Sequence, residues 1–143
     1  MAIRRRLAEA DPTRFEPDLA WGLNNLSNRL TDAGDREGAL APIQEAMTIW
    51  RRLADSNPAR FEPDLALSLN NLSNRLTDAG DRDGALAPIQ EAVAIRRRLA
   101  DSDPARFEPD LGRSLRVLSR VLHQLGESGA ADDAMHEADS LTT

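Results

Sequence analysis

The sequence predicts an all-α fold in which helix–turn–helix units stack into a solenoid. The segment Phe15–Leu19 returns at residues 61–65 and 107–111, with a spacing of 46 residues each time. Residues 15–60 and 61–106 are identical at 39 of 46 positions. Within each unit the leucines recur at helical spacing. One helix pair cannot bury its apolar stripe alone, whereas a stack of copies can, so the repeat favours a solenoid over a closed helical bundle.

Each unit is predicted to contain two helices. Proline suits a first helical turn, so the first helix is expected to begin near Pro17. Its apolar stripe starts at Leu19 and continues at i+4, i+7 and i+11. Gly34 should end it, because glycine adopts the left-handed C-terminal conformation without strain.

The second helix is predicted to follow Asp35, which can cap it. It should continue to Leu53 and end at residues 55–58, followed by an extended connection to the next unit. Pro42 falls inside this helix and Pro88 repeats it, so a bend or a loosened first turn is expected there, since proline removes one backbone hydrogen bond.

The chain is divided accordingly into 1–14, the second helix of an incomplete leading repeat, and the units 15–60, 61–106 and 107–143.

The last helix, from Ala130 to Leu141, has lost most large apolar residues, as expected of a polar terminal cap. The chain starts within a second helix and has no such cap there. We therefore expect a piece of a longer array, or an open N-terminal end that a second copy or another molecule covers.

Composition narrows the class of function. The net charge of −6 disfavours nucleic-acid binding, and no apolar run approaches the about 20 residues that span a bilayer. The chain has no cysteine and no lysine, which excludes thiolate and Schiff-base chemistry. All basic residues are arginine, which is typical of GC-rich bacterial genomes, and a cytoplasmic location is the default expectation.

No catalytic constellation is recognisable, so we expect neither an enzyme nor a cofactor. Asp132, Asp133 and His136 share helical spacing, but three such groups on a polar helix are expected to be solvated rather than metal-bound.

The repeat resembles the tetratricopeptide repeat in the order of its key positions. These are a leucine, a leucine followed by a small residue, and a further leucine in the first helix, then an alanine, a large apolar residue and a second alanine in the second helix. In the first unit these are Leu23, Leu26-Ser27, Leu30, Ala39, Ile43 and Ala46. The longer unit and its Leu-Asn-Asn-Leu segment are similar to the kinesin-light-chain subclass. The resemblance implies a right-handed α–α superhelix whose first helices line a concave, partner-binding groove, with small residues such as Ser27 and Ala39 where paired helices come close.

The candidate binding residues are the first-helix side chains off the apolar stripe. They are Trp21, Asn24, Asn25, Asn28, Asn70, Asn71, Asn74, Arg113, Arg116 and Arg120. Asparagine favours helices poorly, and a carboxamide both donates and accepts, so a row of them can clamp a peptide backbone. The alternative is that these asparagines only tie adjacent repeats together. Asn25 and Asn71 stand where members of the resembled family clamp a peptide.

Three arginines of the third unit share one helical face at i, i+3 and i+7. They could bind a carboxylate or an acidic segment by bidentate pairing. Asn28, Asn71 and Arg113 match the carboxylate clamp of chaperone-binding relatives, whereas Asn24 and Val117 do not. Alternatively, the arginines pair with Asp78 or other acidic residues of the preceding repeat.

Two tryptophans interrupt the repeat. Trp21 is replaced by Leu67 and Arg113, which indicates a position facing the groove. Trp50 corresponds to Arg4 and Arg96, which indicates a partly exposed flank. Exposed tryptophans are typical binding anchors, although each could instead pack over its neighbours.

The function expected from these features is a scaffold that binds a protein or peptide segment. A self-associating spacer is the first alternative. The second is a regulatory arm of a larger nucleotide-dependent signalling protein.

Overall fold

The structure, a computed structural model, describes residues 2–10 and 12–141, and this part of the chain is helical without strands. Each helix packs against the next, and α4 also contacts α6. This confirms the all-α solenoid. The helices are α1 (Ala2–Ala10), α2 (Pro12–Asp32), α3 (Leu40–Ser56), α4 (Pro58–Asp78), α5 (Arg82–Ser102), α6 (Pro104–Gln124) and α7 (Ser128–Ser140).

The predicted start of the first helices was wrong by about one turn and a half. Helices α2, α4 and α6 begin at Pro12, Pro58 and Pro104 rather than at the later proline. Asn57 caps α4 by accepting a hydrogen bond from the Arg60 backbone N–H at 3.4 Å. An asparagine cap followed by proline is a complete start signal. A single residue therefore separates α3 from α4, and the expected extended connection is helical.

The predicted glycine stops are confirmed. Gly34, Gly80 and Gly126 have φ of 88°, 89° and 83°, and the two residues after each first helix turn the chain back. Asp81 then caps α5 by accepting from the Gly84 N–H at 2.9 Å. The first unit differs, because residues 36–39 form turns and α3 begins only at Leu40. The loosened first turn expected from proline thus occurs in this unit and not in α5.

Serine hydroxyls join the two helices of each unit. Ser27, Ser73 and Ser119 are buried and donate hydrogen bonds to the backbone carbonyls of Ala39, Ala85 and Ala131 at 2.7, 2.8 and 2.8 Å. The alanines are fully buried as well. A larger side chain at either place would separate the helices, so the expected close approach at small residues is confirmed.

Ion pairs connect successive second helices at the same repeat spacing, an arrangement the sequence analysis missed. Arg5 pairs with Glu45, Arg51 with Glu91 at 2.6 Å, and Arg97 with Glu137 at 2.7 Å. The hydrogen bond from Arg5 holds the pKa of the Glu45 carboxyl below its ordinary value. All these pairs are partly exposed, so each contributes less than about 1 kcal/mol.

No helix in the described ranges is long and apolar enough to cross a membrane. Helix α1 leaves Ile3 70 % and Leu7 40 % exposed. Self-association through this helix, and the division of the chain at residues 15, 61 and 107, stay predictions.

Candidate partner-binding surface on the first helices

The three first helices α2, α4 and α6 present one polar face, which we call the first-helix face. Hydrogen bonds from α4 to α2 pair Ser68 with Asn24 and Arg75 with Asn28, so the two helices run parallel. Residues at i, i+3, i+7, i+10 and i+14 of each helix share this face and are partly or fully exposed. They are Asp18, Trp21, Asn25, Asn28 and Asp32; Asp64, Leu67, Asn71, Asn74 and Asp78; and Asp110, Arg113, Val117, Arg120 and Gln124.

Four of the six candidate asparagines bond neighbouring first helices. Asn24 is 3 % exposed and Asn70 9 %, and they accept hydrogen bonds from Ser68 at 3.4 Å and Ser114 at 3.0 Å. These two side chains therefore lie between helices and not on the first-helix face. Asn28 and Asn74 remain on the face.

The side chains of Asn28 and Asn74 are nevertheless engaged across the repeat. They accept hydrogen bonds from Arg75 at 3.4 Å and Arg120 at 2.9 Å. The structure thus favours the alternative reading, ties between repeats, for these four asparagines.

Asn25 and Asn71 differ from the other four. Asn25 is exposed and Asn71 half-buried. Within residues 2–10 and 12–141, neither side chain makes a hydrogen bond to another part of the chain. Their carboxamides are therefore the free donors and acceptors of the row.

The three candidate arginines contact groups of the chain itself. Arg113 lies 3.4 Å from Asp110 on its own helix, and Arg116 lies 3.5 Å from Asp139 on α7. Arg120 donates to Asn74, as described above. The suggested partner Asp78 was wrong, because its carboxylate lies 3.6 Å from Arg75. The contacts to Asp110 and Asp139 are long and exposed, so they bind the arginines weakly.

The expectation of a partly exposed Trp50 was wrong, since the side chain is fully buried. Trp21 is half-buried and packs edge-on against it with ring centroids 5.1 Å apart, and the Phe61 ring centroid lies 6.3 Å from that of Trp50. The arginine that replaces Trp50 in the next repeat had suggested exposure. However, Arg96 is itself only 5 % exposed and bonds the Ser114 hydroxyl at 2.7 Å.

Asp64 is a feature of the face that the sequence analysis did not single out. Burial raises the pKa of its carboxyl above the ordinary value, and the charge of Arg60 acts in the opposite direction. The Arg60 guanidinium lies over the Phe61 ring, 4.7 Å from its centroid. Among the described residues, none makes a hydrogen bond or an ion pair with the Asp64 carboxylate. The sequence shows that this aspartate recurs in each repeat, but it does not show that the Asp64 carboxyl is partly buried.

Asp132, Asp133 and His136, near the C-terminal end, do not form a set of metal ligands. His123 lies 3.6 Å from Asp132, and no three His, Cys, Asp or Glu side chains in the described part of the chain could together hold a metal ion.

The model of the tetratricopeptide repeat matches residues 19–59 and 65–105, which together make up more than half of the chain. The chain belongs to the tetratricopeptide repeat family. The two matches start 46 residues apart, at the period read from the sequence. No curated protein matches the chain significantly. Tetratricopeptide repeats generally mediate protein–protein interaction.

Proposed function

We propose that this tetratricopeptide array binds an extended segment of another protein along its first-helix face. Asn25 and Asn71 hold the backbone of that segment through hydrogen bonds from and to their carboxamides. The observation that carries the proposal is the division of the asparagine row. Four members bond the chain itself, whereas these two, at equivalent positions of adjacent parallel helices, have no bond within the described residues.

Selection of a random peptide library on the full chain tests the proposal. Replacing both free residues, by Asn25→Ala with Asn71→Ala, should weaken a selected peptide about tenfold or more, because two hydrogen bonds are lost. The same variant should keep its helix content and its free energy of unfolding, since neither side chain bonds the fold.

The matched control replaces the two buried asparagines, by Asn24→Ala with Asn70→Ala. Their hydrogen bonds to Ser68 and Ser114 join adjacent repeats, so this pair should lower the free energy of unfolding and leave peptide affinity of the folded protein unchanged. Equal peptide affinity of the wild type and the Asn25→Ala, Asn71→Ala variant would contradict the proposal.

A further inference from the structure

In the third repeat, the aspartate of the first-helix face has two arginine side chains beside it. Asp110 is the equivalent of Asp64, one repeat later. The Arg113 guanidinium lies 3.4 Å from its carboxylate, and Arg96 donates to its backbone carbonyl at 3.1 Å. Two guanidiniums of the chain therefore lie beside this aspartate.

The second repeat lacks both of these cations. Leu67 stands at the place of Arg113, and Trp50 stands at the place of Arg96. Trp50 is fully buried and Leu67 is half-buried, so the neighbourhood of Asp64 is apolar on these two sides. A carboxylate at such a boundary interacts strongly with any cation that arrives, because water screens it less than on an open surface.

The surroundings of Asp64 suit a long basic side chain. The hydrogen bond between Ser68 and Asn24 aligns α4 with α2. Trp21 lies three residues before Asn24, and Asp64 lies four residues before Ser68. Because Asn24 and Ser68 are level with each other, Trp21 and Asp64 also lie at about the same height on the two adjacent helices. Lysine and arginine carry an apolar stem and a cationic head, and they bind best where a carboxylate adjoins aromatic or aliphatic surface.

We propose that Asp64 binds a lysine or arginine side chain of the partner segment, with Trp21 and Leu67 against its aliphatic stem. The incoming cation supplies in the second repeat what Arg113 supplies in the third. This inference rests on the proposed function, because the segment is the one that Asn25 and Asn71 hold. It differs from the acidic partner expected from the arginine row, whose members contact groups of the chain itself.

A double-mutant cycle on selected peptides tests the assignment. Peptides selected on the wild type should be enriched in lysine or arginine at one position. Replacing that residue by alanine should weaken binding about three- to fivefold, as should Asp64→Asn, and the two changes together should cost no more than one. Leu67→Arg places a cation beside Asp64 from the chain itself and should give the same loss. Asp101→Asn, at an exposed aspartate of the second helix α5 and outside the first-helix face, is the matched control and should leave the affinity unchanged.

Other outcomes separate the two proposals. Peptides that depend on Asn25 and Asn71 but show no preference for basic residues would overturn the role of Asp64 and leave the proposed function standing. Enrichment of acidic residues, or a basic residue whose contribution persists in Asp64→Asn, would overturn it equally. If no peptide is selected at all, both proposals are wrong. Circular dichroism of each variant ensures that a loss of binding is not a loss of folding.

Discussion

The two boundaries between repeats have nearly the same sequence and different interiors. At the first boundary, between α3 and α4, Trp50 fills the buried place and contacts Phe61. At the second, between α5 and α6, Arg96 fills the equivalent place and bonds Ser114 and the Asp110 carbonyl. One repeat geometry therefore accepts either an indole or a guanidinium in its interior.

The comparison shows that the two boundaries are stabilised by different forces. The Trp50 indole N–H and the Asn24 amide N–H are buried without a hydrogen-bond acceptor among the described residues, so the first boundary depends on apolar packing. The Arg96 Nη1 donates to the Asp110 carbonyl and the Ser114 hydroxyl, but the guanidinium is a charge removed from water, and burial lowers its pKa. The first boundary should therefore lose more stability than the second when its central side chain is removed.

The largest effect is expected from Trp50→Ala. The substitution removes a fully buried indole and leaves a cavity between α3 and α4, which should lower the free energy of unfolding by about 3–5 kcal/mol. Urea denaturation followed by circular dichroism measures the change. Trp21→Ala is the control, since its half-exposed ring should cost clearly less. Equal losses for the two tryptophans would mean that burial at the boundary is not what stabilises it.

The second boundary should respond to the shape of residue 96 more than to its charge. Arg96→Ala removes the aliphatic stem as well as the guanidinium and should cost about 2–3 kcal/mol of unfolding free energy. Arg96→Met keeps the stem and relieves the burial of a charge, so it should cost less than about 1 kcal/mol. The same urea denaturation measures both. A loss for the methionine variant as large as for alanine would show that the hydrogen bonds to Ser114 and Asp110 dominate.

The sequence predicted the parts of this fold that depend on period alone. The 46-residue repeat and the glycine stops follow from the residues themselves, whereas the small residues between paired helices were expected from the resemblance to the tetratricopeptide repeat. The helix starts were misplaced because each first helix contains two prolines, and the prediction used Pro17 and its equivalents instead of Pro12, Pro58 and Pro104. Local rules had favoured both positions, and the asparagine cap decides between them.

The candidate surface was harder to predict, because it depends on what the next repeat covers. Asn24 and Asn25 are neighbours in sequence and both lie off the leucine stripe, yet α4 covers the first and leaves the second exposed. Trp50 was placed at the surface because arginine replaces it, although a guanidinium with partners can be buried. Ion pairs between residues 40 positions apart, such as Arg51 and Glu91, need the stacking geometry itself.

The smallest expected effect is the change in unfolding free energy when Asp64 or Asp110 is replaced by asparagine, and its sign should differ between the two repeats. Asp64 and Asp110 are equivalent, but burial raises the pKa of the Asp64 carboxyl although the charge of Arg60 acts in the opposite direction, so its ionised form is disfavoured in the folded chain. An acid whose pKa is raised in the folded state destabilises the fold at pH values above that pKa. The penalty fades as the pH falls towards the ordinary pKa of an aspartate, about 3.9. Asp64→Asn should therefore raise the unfolding free energy slightly at neutral pH and leave it unchanged in acid. Asp110→Asn removes the contact with Arg113 and should be neutral or destabilising at neutral pH. Urea denaturation at a series of pH values measures both variants. The same sign for both would mean that the cations of the third repeat make no difference, whereas opposite signs would show that the second repeat keeps a carboxylate without an ion pair on the surface proposed to bind a basic side chain.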